Sequence, residues 1–324
     1  MHNFRERMRE PQAKYKTKAL CISEQGKWRG KHYTHILPEV RWQLNLWDGI
    51  RKEAQLYFSD NQIAWHRDRH NLLSSQVLCV NIFFPLRKHP HLLKPWLSHH
   101  FDVESICDLD FEYIGPEGNN YFNEKGGRGQ NRTSSDLSIT WRDGAKRKNM
   151  LLLEFKFTES NFGECSKKDN TNPERCRSSE KIVASPKTQC YRAKIGRKYW
   201  DKILDNDSPF RREVLTTERF CPFRYDFYQL MRNQLLAHCI RSDSTAGFDR
   251  VEFGVIYHAD NEDLLRMSHP FAGERNPLKV WPSLLRNPDT FHAFTIQGSL
   301  NTIDEGLPEE LVGWRTYLRQ RYGL

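Results

Sequence analysis

The sequence predicts an α/β domain in which helices flank a mixed β-sheet, with a helical region before the sheet. Two observations lead to this class. Between residues 101 and 160, apolar and polar residues alternate often enough to indicate strands. On either side of this stretch, apolar residues recur at intervals of three and four, which is the spacing of one helix face. Helices, three strands, helices, further strands and a closing helix together favour a single α/β arrangement.

The first hundred residues contain basic and helical segments. Residues 1–35 are rich in Lys and Arg and are expected to form a peripheral arm. Apolar residues between 42 and 58 have helical spacing, and residues 71–86 are apolar nearly all round, which predicts a buried helix that ends before Pro85. We therefore expect residues 1–100 to pack, as an arm and a helical region, on a core formed by residues 101–324.

Three strands are predicted in the centre of the chain. The first, "DVESICDLDFEYIG", ends at Gly115 and Pro116. The next two, "DLSITW" and "MLLLEFKF", flank a polar segment whose Asp143-Gly144 pair favours a turn, so they are expected to form an antiparallel hairpin. A basic, glycine-rich loop, "NEKGGRGQNRTSS", precedes the hairpin and is predicted to approach a ligand closely.

The last part of the chain is predicted to alternate between helices and strands. Residues 161–182 are polar and turn-rich, and they begin a cysteine-containing insertion around 161–221. Helices are expected at about 185–204 and 222–241. Strands are expected in "RVEFGVIYHAD" and "TFHAFTIQGSL", and a closing helix in "PEELVGWRTYLRQRYGL".

Composition narrows the class of protein. The chain has 324 residues and a formal net charge of +9, because 50 Lys and Arg outnumber 41 Asp and Glu, and this balance suits an anionic partner such as nucleic acid. It contains no apolar run of membrane-spanning length and no apolar core of a signal peptide near its start. We therefore expect a soluble, cytoplasmic protein whose cysteines are mostly reduced.

An acid and a base stand inside the most apolar predicted strand, "LLLEFKF". Residues two apart in a strand share a face, so Glu154 and Lys156 point to one side while Leu153, Phe155 and Phe157 fill the other. If the hairpin is symmetric about residue 145, Asp136 lies opposite Glu154. The sequence then places two carboxylates and an ammonium on one patch.

Two interpretations of this patch are open. Two carboxylates can hold a hard divalent cation such as magnesium, with the lysine beside a water or a scissile phosphate, which is what phosphodiester hydrolysis requires. The alternative is a cross-strand salt bridge on a half-solvated sheet face, an arrangement that contributes little on its own.

The three residues resemble the motif of the PD-(D/E)XK, or restriction-endonuclease-like, nuclease superfamily. Asp136 in "SSDLSI" stands at the Asp of that motif, with Ser135 in place of its proline, and Glu154 and Lys156 in "LEFKF" supply the rest. The resemblance implies a restriction-endonuclease-like fold in which Asp136 and Glu154 bind Mg²⁺ or Mn²⁺ and Lys156 assists the attacking water. It also implies DNA as the substrate.

Other positions enter through the same resemblance. Many members place an acidic or polar residue on the helix before the sheet, where Gln76 is the candidate here, with Glu104 on the preceding strand as its rival. Some carry a Q-x-x-x-Y motif on a later helix. In this chain Gln229 matches its glutamine, while Asn233 stands where its tyrosine would be.

Four cysteines follow the lysine strand: Cys165, Cys176, Cys190 and Cys221. Two of them lie in a polar loop where packing is a poor reason for a thiol, so a metal site that ties the loop to the helices is one interpretation and four independent thiols the other. The resemblance adds a [4Fe-4S] cluster, since several members carry one, although all four cysteines here lie downstream of the catalytic strands, which keeps zinc open. Cys21, Cys79, Cys107 and Cys239 are expected to be ordinary buried or surface thiols.

Further polar residues are assigned by position. His66 and His70 lie four apart, but they lack a third ligand at a recognisable spacing and are expected at the surface or at a helix end. The glycine-rich loop and the later helices supply the side chains predicted to contact nucleic acid, namely Arg128, Arg132, Arg192, Lys194, Arg197, Lys198, Gln229 and Arg232.

The sequence is therefore compatible with two functions. The first is a Mg²⁺-dependent deoxyribonuclease, exo or endo, whose oligomeric state is open, with a homodimer as one option. The second is a catalytically inactive nucleic-acid-binding or structural protein with a nuclease-like fold, for which an iron-sulfur or zinc protein is one option.

Overall fold

The computed structural model describes residues 3–166, 176–304 and 306–324. The strands are β1 (Gly26–Trp28), β2 (Lys31–Tyr33), β3 (Ser105–Tyr113), β4 (Ser135–Arg142), β5 (Lys148–Lys156), β6 (Arg250–Tyr257) and β7 (Phe291–Thr295). The α-helices are α1 (Phe4–Lys18), α2 (Arg51–Asp60), α3 (Ser75–Phe83), α4 (Lys94–Ser98), α5 (Ser179–Ala184), α6 (Pro186–Gln189), α7 (Tyr191–Lys194), α8 (Tyr199–Leu204), α9 (Arg212–Leu215), α10 (Tyr228–Ser242), α11 (Pro277–Val280), α12 (Ile296–Ile303) and α13 (Val312–Tyr322). Short 3₁₀ helices occupy Glu39–Asn45, Asp48–Ile50, Pro85–Arg87, Pro90–Leu93, Glu262–Leu265, Trp281–Leu284, Pro288–Thr290 and Glu309–Leu311.

The central element is a five-stranded sheet in the order β3-β4-β5-β6-β7. The first three strands are antiparallel to one another, whereas β6 runs parallel to β5 and β7 runs parallel to β6. A parallel neighbour requires a crossover, and the chain from α5 to α10 makes the one between β5 and β6. The predicted α/β class with a mixed sheet is confirmed.

The register of the β4–β5 hairpin agrees with the turn chemistry in the sequence. Leu137 pairs with Leu153, and the pairing continues without a shift to Arg142 opposite Lys148. These pairs are symmetric about residue 145, as predicted. One further step along the same register brings Asp136 opposite Glu154.

The two faces of the sheet enter different cores. Leu151, Leu153 and Phe155 belong to a core shared with α1, α3 and α13, whereas Met150 and Leu152 belong to a second core against α10. Glu154 and Lys156 continue the row of Met150 and Leu152, so they face the α10 side. Residues before 100 thus share the first core with the sheet, and the domain division at residue 100 stays a prediction.

The N-terminal segment differs from the predicted arm. It contains helix α1, in which Asn3 and Glu6 form a capping box, and this helix packs against α13. Lys16 on α1 is buried, and its ammonium donates to the carbonyl oxygens of Glu24 and Ile36, which offsets the cost of burying the charge. Tertiary partners therefore fold a segment that is strongly basic in sequence.

Three other predicted elements are shorter than expected. The helix predicted at 185–204 is broken into α6, α7 and α8, because Cys190 is extended between the first two and Gly196 has a positive φ of 84° between the last two. The helix predicted from 222 begins at Tyr228. The strand predicted at 290–300 ends at Thr295, whose hydroxyl accepts the backbone N–H of Gly298 and caps α12.

None of the helices in the described ranges is long and apolar enough to cross a membrane. Cytoplasmic localisation stays a prediction.

Because Leu153 is fully buried between the sheet and α3, Leu153→Ala is expected to lower the free energy of unfolding by about 2–5 kcal/mol. Val312→Ala, at an exposed position on α13, is the matched control and should change it by less than about 0.5 kcal/mol. Urea unfolding followed by circular dichroism measures both values. Equal stability of the two variants would contradict the placement of this core.

Candidate active site

Three strand ends meet at one edge of the sheet. Because β3, β4 and β5 are antiparallel, the end of β3, the start of β4 and the end of β5 lie side by side. These positions bring Glu112, Asp136, Glu154 and Lys156 together, and the charges of the three carboxylates act on one another. The three residues predicted from the sequence therefore share one site, and a third carboxylate joins them.

Glu154 and Lys156 form a buried ion pair. Their side chains are each 5% exposed, and the Lys156 Nζ lies 2.7 Å from the Glu154 Oε1. Gln229 on α10 bridges the pair, since its Nε2 donates to Glu154 Oε1 at 3.0 Å and its Oε1 accepts from Lys156 Nζ at 2.8 Å. Asn233, one turn further along α10, donates to Glu154 Oε2 at 2.6 Å. Every charge in this pair thus has polar partners, as burial requires.

Among the three carboxylates of the site, Asp136 has the fewest hydrogen bonds from the described residues to offset the cost of its burial. Its Oδ2 accepts the backbone N–H of Phe155 at 2.7 Å. Burial, together with the negative charges of Glu154 and Glu112, raises its pKa well above the ordinary value, although Lys156 acts in the opposite direction. Additional positive charge at this edge would therefore favour the ionised form of Asp136.

The pKa of Lys156 is raised. Burial alone would lower it, but the negative charges of Glu154, Glu159 and Asp136 outweigh burial. Lys156 is therefore a cation in this structure.

Glu112 reaches the site through a local distortion of β3. Its φ is +50°, in the left-handed region that a non-glycine residue rarely adopts. The Arg128 guanidinium stabilises this distorted backbone. It donates to the backbone oxygen of Glu112 at 3.3 Å, to the backbone oxygen of Phe111 and to the Asp110 carboxylate. Strained backbone of this kind is kept where many surrounding contacts hold it in place, and it is often found at functional sites.

The Glu112 carboxylate has three side-chain neighbours. Gln76 Nε2 on α3 donates to its Oε1 at 2.6 Å, and Ser134 Oγ donates to its Oε2 at 2.7 Å. His66 Nε2 lies 3.2 Å from Oε1. The His66 side chain is 44% exposed, and this contact together with the nearby carboxylates raises its pKa to about 9 against the cost of desolvation. Burial likewise acts against the charge of Glu112, yet the bonds from His66, Ser134 and Gln76 lower its pKa.

The start of α10 is fixed against the loop that follows β5. The backbone N–H groups of Tyr228 and Gln229 donate to the carbonyl oxygens of Gly163 and Phe162. Gly163 has a φ of +77°, and a Cβ at this position would lie 2.6 Å from the Gln229 Oε1. Only glycine fits here without moving the side chain that bridges Glu154 and Lys156.

A polar groove of about 610 Å³ lies next to Gln229. Lys125, Arg192, Arg197 and Arg232 line it and give it positive charge. Arg232 is anchored by the hydroxyl of Thr133 and the buried carboxylate of Glu124, and Arg192 donates to Ser166. Three of the predicted nucleic-acid contacts, together with Gln229, are thus on one surface.

The other predicted nucleic-acid contacts lie elsewhere. Arg128 and Arg132 line a second groove and donate to backbone oxygens, Arg132 to that of Asn119. Lys194 and Lys198 are exposed beside α7 and α8.

The two candidates for the residue before the sheet have different outcomes. Gln76 is buried on α3 and contacts Glu112, so it supports a carboxylate of the site. Glu104 precedes the opposite end of β3, where its backbone bonds to Arg142 and its carboxylate pairs with Lys146. The site therefore excludes Glu104.

The four downstream cysteines line one cavity of about 30 Å³. The Cys176 thiol hydrogen-bonds to the Cys190 sulfur. This bond lowers the pKa of Cys190 to about 6, with help from the N–H groups of Ala193, Arg192 and Trp200 and against the effect of burial.

Cys79 and Cys239 are buried and Cys21 and Cys107 exposed, as expected of ordinary thiols. As the side chains stand, no three His, Cys, Asp or Glu residues within 3–166, 176–304 and 306–324 form a group that could hold a metal ion.

Comparison with known proteins supplies the family. A family model described as "Restriction Endonuclease associating with ARP" (REase-ARP) matches residues 8–323. The chain belongs to the REase-ARP family. This confirms the resemblance to restriction-endonuclease-like proteins, and the mixed sheet flanked by helices agrees with that fold. No curated protein and no solved structure matches the chain.

Sequence reasoning missed three polar residues at the site of this REase-ARP protein. Glu112 lies within a predicted strand, but a 21-residue connection separates β3 from β4, so no turn fixes their register in advance. The His66 side chain is exposed, as expected from the sequence, but its contact with Glu112 depends on tertiary packing and was not predicted. Asn233 was visible only as a departure from the Q-x-x-x-Y pattern, yet its side chain, like that of Gln229, donates to Glu154.

Gly163→Ala is expected to destabilise the protein more than Gly118→Ala. Both residues have positive φ, 77° and 82°, so each alanine costs about 1–2 kcal/mol in backbone strain. Only at Gly163 would the new methyl group also collide with Gln229, since nothing lies within 4 Å of a Cβ at Gly118. Urea unfolding of both variants measures the difference, and equal losses would contradict the close contact with Gln229.

Proposed function

We propose that this REase-ARP protein is a divalent-metal-dependent nuclease that hydrolyses phosphodiester bonds in DNA. The observation that supports the proposal most directly is the buried Lys156 ammonium held beside Glu154, Asp136 and Glu112 at one sheet edge. A salt bridge on a half-solvated face would not need this burial or the two amide side chains from α10. The family description, which names a restriction endonuclease, points to the same chemistry and to DNA.

The donor set suits a hard divalent cation. Three carboxyl groups face two cationic side chains, Lys156 and His66, and the positive charge of an ion at this edge would favour the ionised form of Asp136. Carboxylate oxygens are the ligands that Mg²⁺ and Mn²⁺ prefer. Asp136 and Glu154 are proposed to hold the ion with Glu112 beside them, and a bound ion lowers the pKa of water and offsets charge that develops on phosphate.

Lys156 is proposed to act on the attacking water or on the scissile phosphate. An ammonium has three N–H donors, and Glu154 and Gln229 accept two of them. Among the described residues this leaves one donor direction for a phosphate oxygen or a water. Gln229 and Asn233 keep Glu154 oriented, and Gln76 keeps Glu112 oriented, so these amides are proposed to position the reactive groups.

The groove lined by Lys125, Arg192, Arg197 and Arg232 is proposed to bind the DNA backbone. It adjoins Gln229, so a strand lying in it would pass next to Lys156. Arg128 has a different proposed task, because its guanidinium is used by β3: it maintains the backbone conformation that presents Glu112.

Lys156→Gln is expected to reduce DNA cleavage in Mg²⁺ or Mn²⁺ by at least about 100-fold, since it removes the charge placed at the reacting phosphate. DNA binding by the same variant should stay close to that of the wild type. A gel-based cleavage assay and fluorescence anisotropy measure the two properties. Lys148→Gln, at the other end of β5, is the matched control and should cleave normally.

If Lys156→Gln cuts at the wild-type rate while Lys148→Gln also does, Lys156 has no part in the reaction. If the wild-type protein binds DNA and never cuts it with either metal, the inactive nucleic-acid-binding alternative replaces the nuclease.

Lys125→Ala is expected to weaken DNA binding at low salt and to reduce the slope of log K against log [salt] by about 1, because one phosphate contact is lost. Lys125 is exposed at the groove, so folding should be unaffected. The control is Lys52→Ala, an exposed lysine on α2 that lies outside the groove. Anisotropy titrations across a salt series measure the slopes, and equal slopes for the two variants would place the DNA elsewhere.

A further inference from the structure

The four cysteines after β5 come from separate parts of the chain and share one cavity. Cys165 lies in the loop after β5, Cys176 before α5, Cys190 between α6 and α7, and Cys221 after α9. The other described cysteines lie outside this cavity. Four independent thiols in a polar insertion would have no reason to lie in one cavity.

The backbone around the cysteines is already assembled. The N–H of Cys221 donates to the carbonyl oxygen of Cys176, and the N–H of Cys176 donates to that of Gln189, next to Cys190. Cys176 adopts a φ of +63°, which a non-glycine residue rarely does. These contacts bring three of the four thiols together before any ligand is considered.

Hydrogen-bond donors are directed at the sulfur atoms. The backbone N–H groups of Arg192 and Ala193 and the Trp200 side chain donate to Cys190. The backbone N–H of Phe223 donates to Cys221, and the Arg192 side chain donates to Cys165. Donors of this kind stabilise thiolates and form the outer layer that supports metal-bound sulfur.

The segment between Cys176 and Cys221 consists of short helices, which contribute buried residues such as Ile182, Trp200 and Leu215 to the second core. Between Cys176 and Cys221, helices α5 to α9 have four to six residues each, too short to be stable alone. A cross-link at the point where these helices meet would supply stability that the elements cannot provide themselves. Four thiolates around one ion make such a cross-link.

We propose that Cys165, Cys176, Cys190 and Cys221 bind one structural Zn²⁺ ion. The cavity of about 30 Å³ is larger than the roughly 10–15 Å³ that one water molecule needs, so it has room for a single ion. Four thiolates are a common ligand set of closed zinc sites.

Binding of zinc would replace a hydrogen bond that the structure shows between two of the thiols. The hydrogen bond between Cys176 and Cys190 is replaced by two sulfur–zinc bonds, and the thiol protons leave to solvent. The thiols move closer together in this exchange, because no three of them in the described ranges stand in ligand geometry beforehand. The zinc site is independent of the proposed nuclease chemistry, and its test needs no cleavage assay.

The experiment measures metal in the full-length protein purified without added metal. Elemental analysis should find about one zinc per chain in the wild type. Cys165→Ser, at a half-buried loop position, should lower the zinc content at least about fivefold, whereas Cys239→Ser, a buried thiol outside the cavity, should retain it. In the wild type, an organomercurial should release the zinc to a colorimetric indicator as the thiols react.

Chelation should also lower the melting temperature of the wild type and of Cys239→Ser, but not that of a folded Cys165→Ser protein. Iron with a brown colour in place of zinc, absence of zinc from the wild type, or full zinc in Cys165→Ser would each overturn the proposal. The organomercurial release uses only the wild type, so it decides the matter even if the serine variant fails to fold.

Discussion

Burial of a carboxylate and an ammonium at the end of β5 is the constraint on which the arrangement of the site depends. Glu154 and Lys156 are removed from water by α10, and an unpaired charge there would cost several kcal/mol. The pair alone does not satisfy all of its donors and acceptors, so Gln229 and Asn233 must be held within hydrogen-bond distance. That requirement fixes the start of α10 and, through it, the glycine at position 163.

The other half of the site depends on a different strand. Glu112 joins Asp136 because β3 departs from regular geometry at that residue, and Arg128 compensates the departure by binding the freed backbone oxygens. Gln76 and Ser134 then bind the carboxylate from two sides. Arg128 thus supports Glu112 through backbone contacts, while its contact with nucleic acid stays a prediction.

The crossover between β5 and β6 has to span the sheet and also cover the α10 side of the site. Before α10 it does so with the helices α5 to α9, of four to six residues each, and with a cavity surrounded by cysteines. The same segment supplies Arg192 and Arg197 to the groove beside Gln229. The rigidity of this segment therefore bears on both the proposed zinc ion and the proposed DNA path.

The sequence by itself determined the sheet class, the β4–β5 register and the shared face of Asp136, Glu154 and Lys156. These features are local: a period of two, a short turn and an apolar run specify them within about 20 residues. Tertiary structure alone decided that Glu112 and His66 join the site, that Asn233 and Gln229 bind Glu154, and that four distant cysteines surround one cavity. Each of these contacts joins residues separated by long connections, whose closure depends on packing across the whole domain and not on any local pattern.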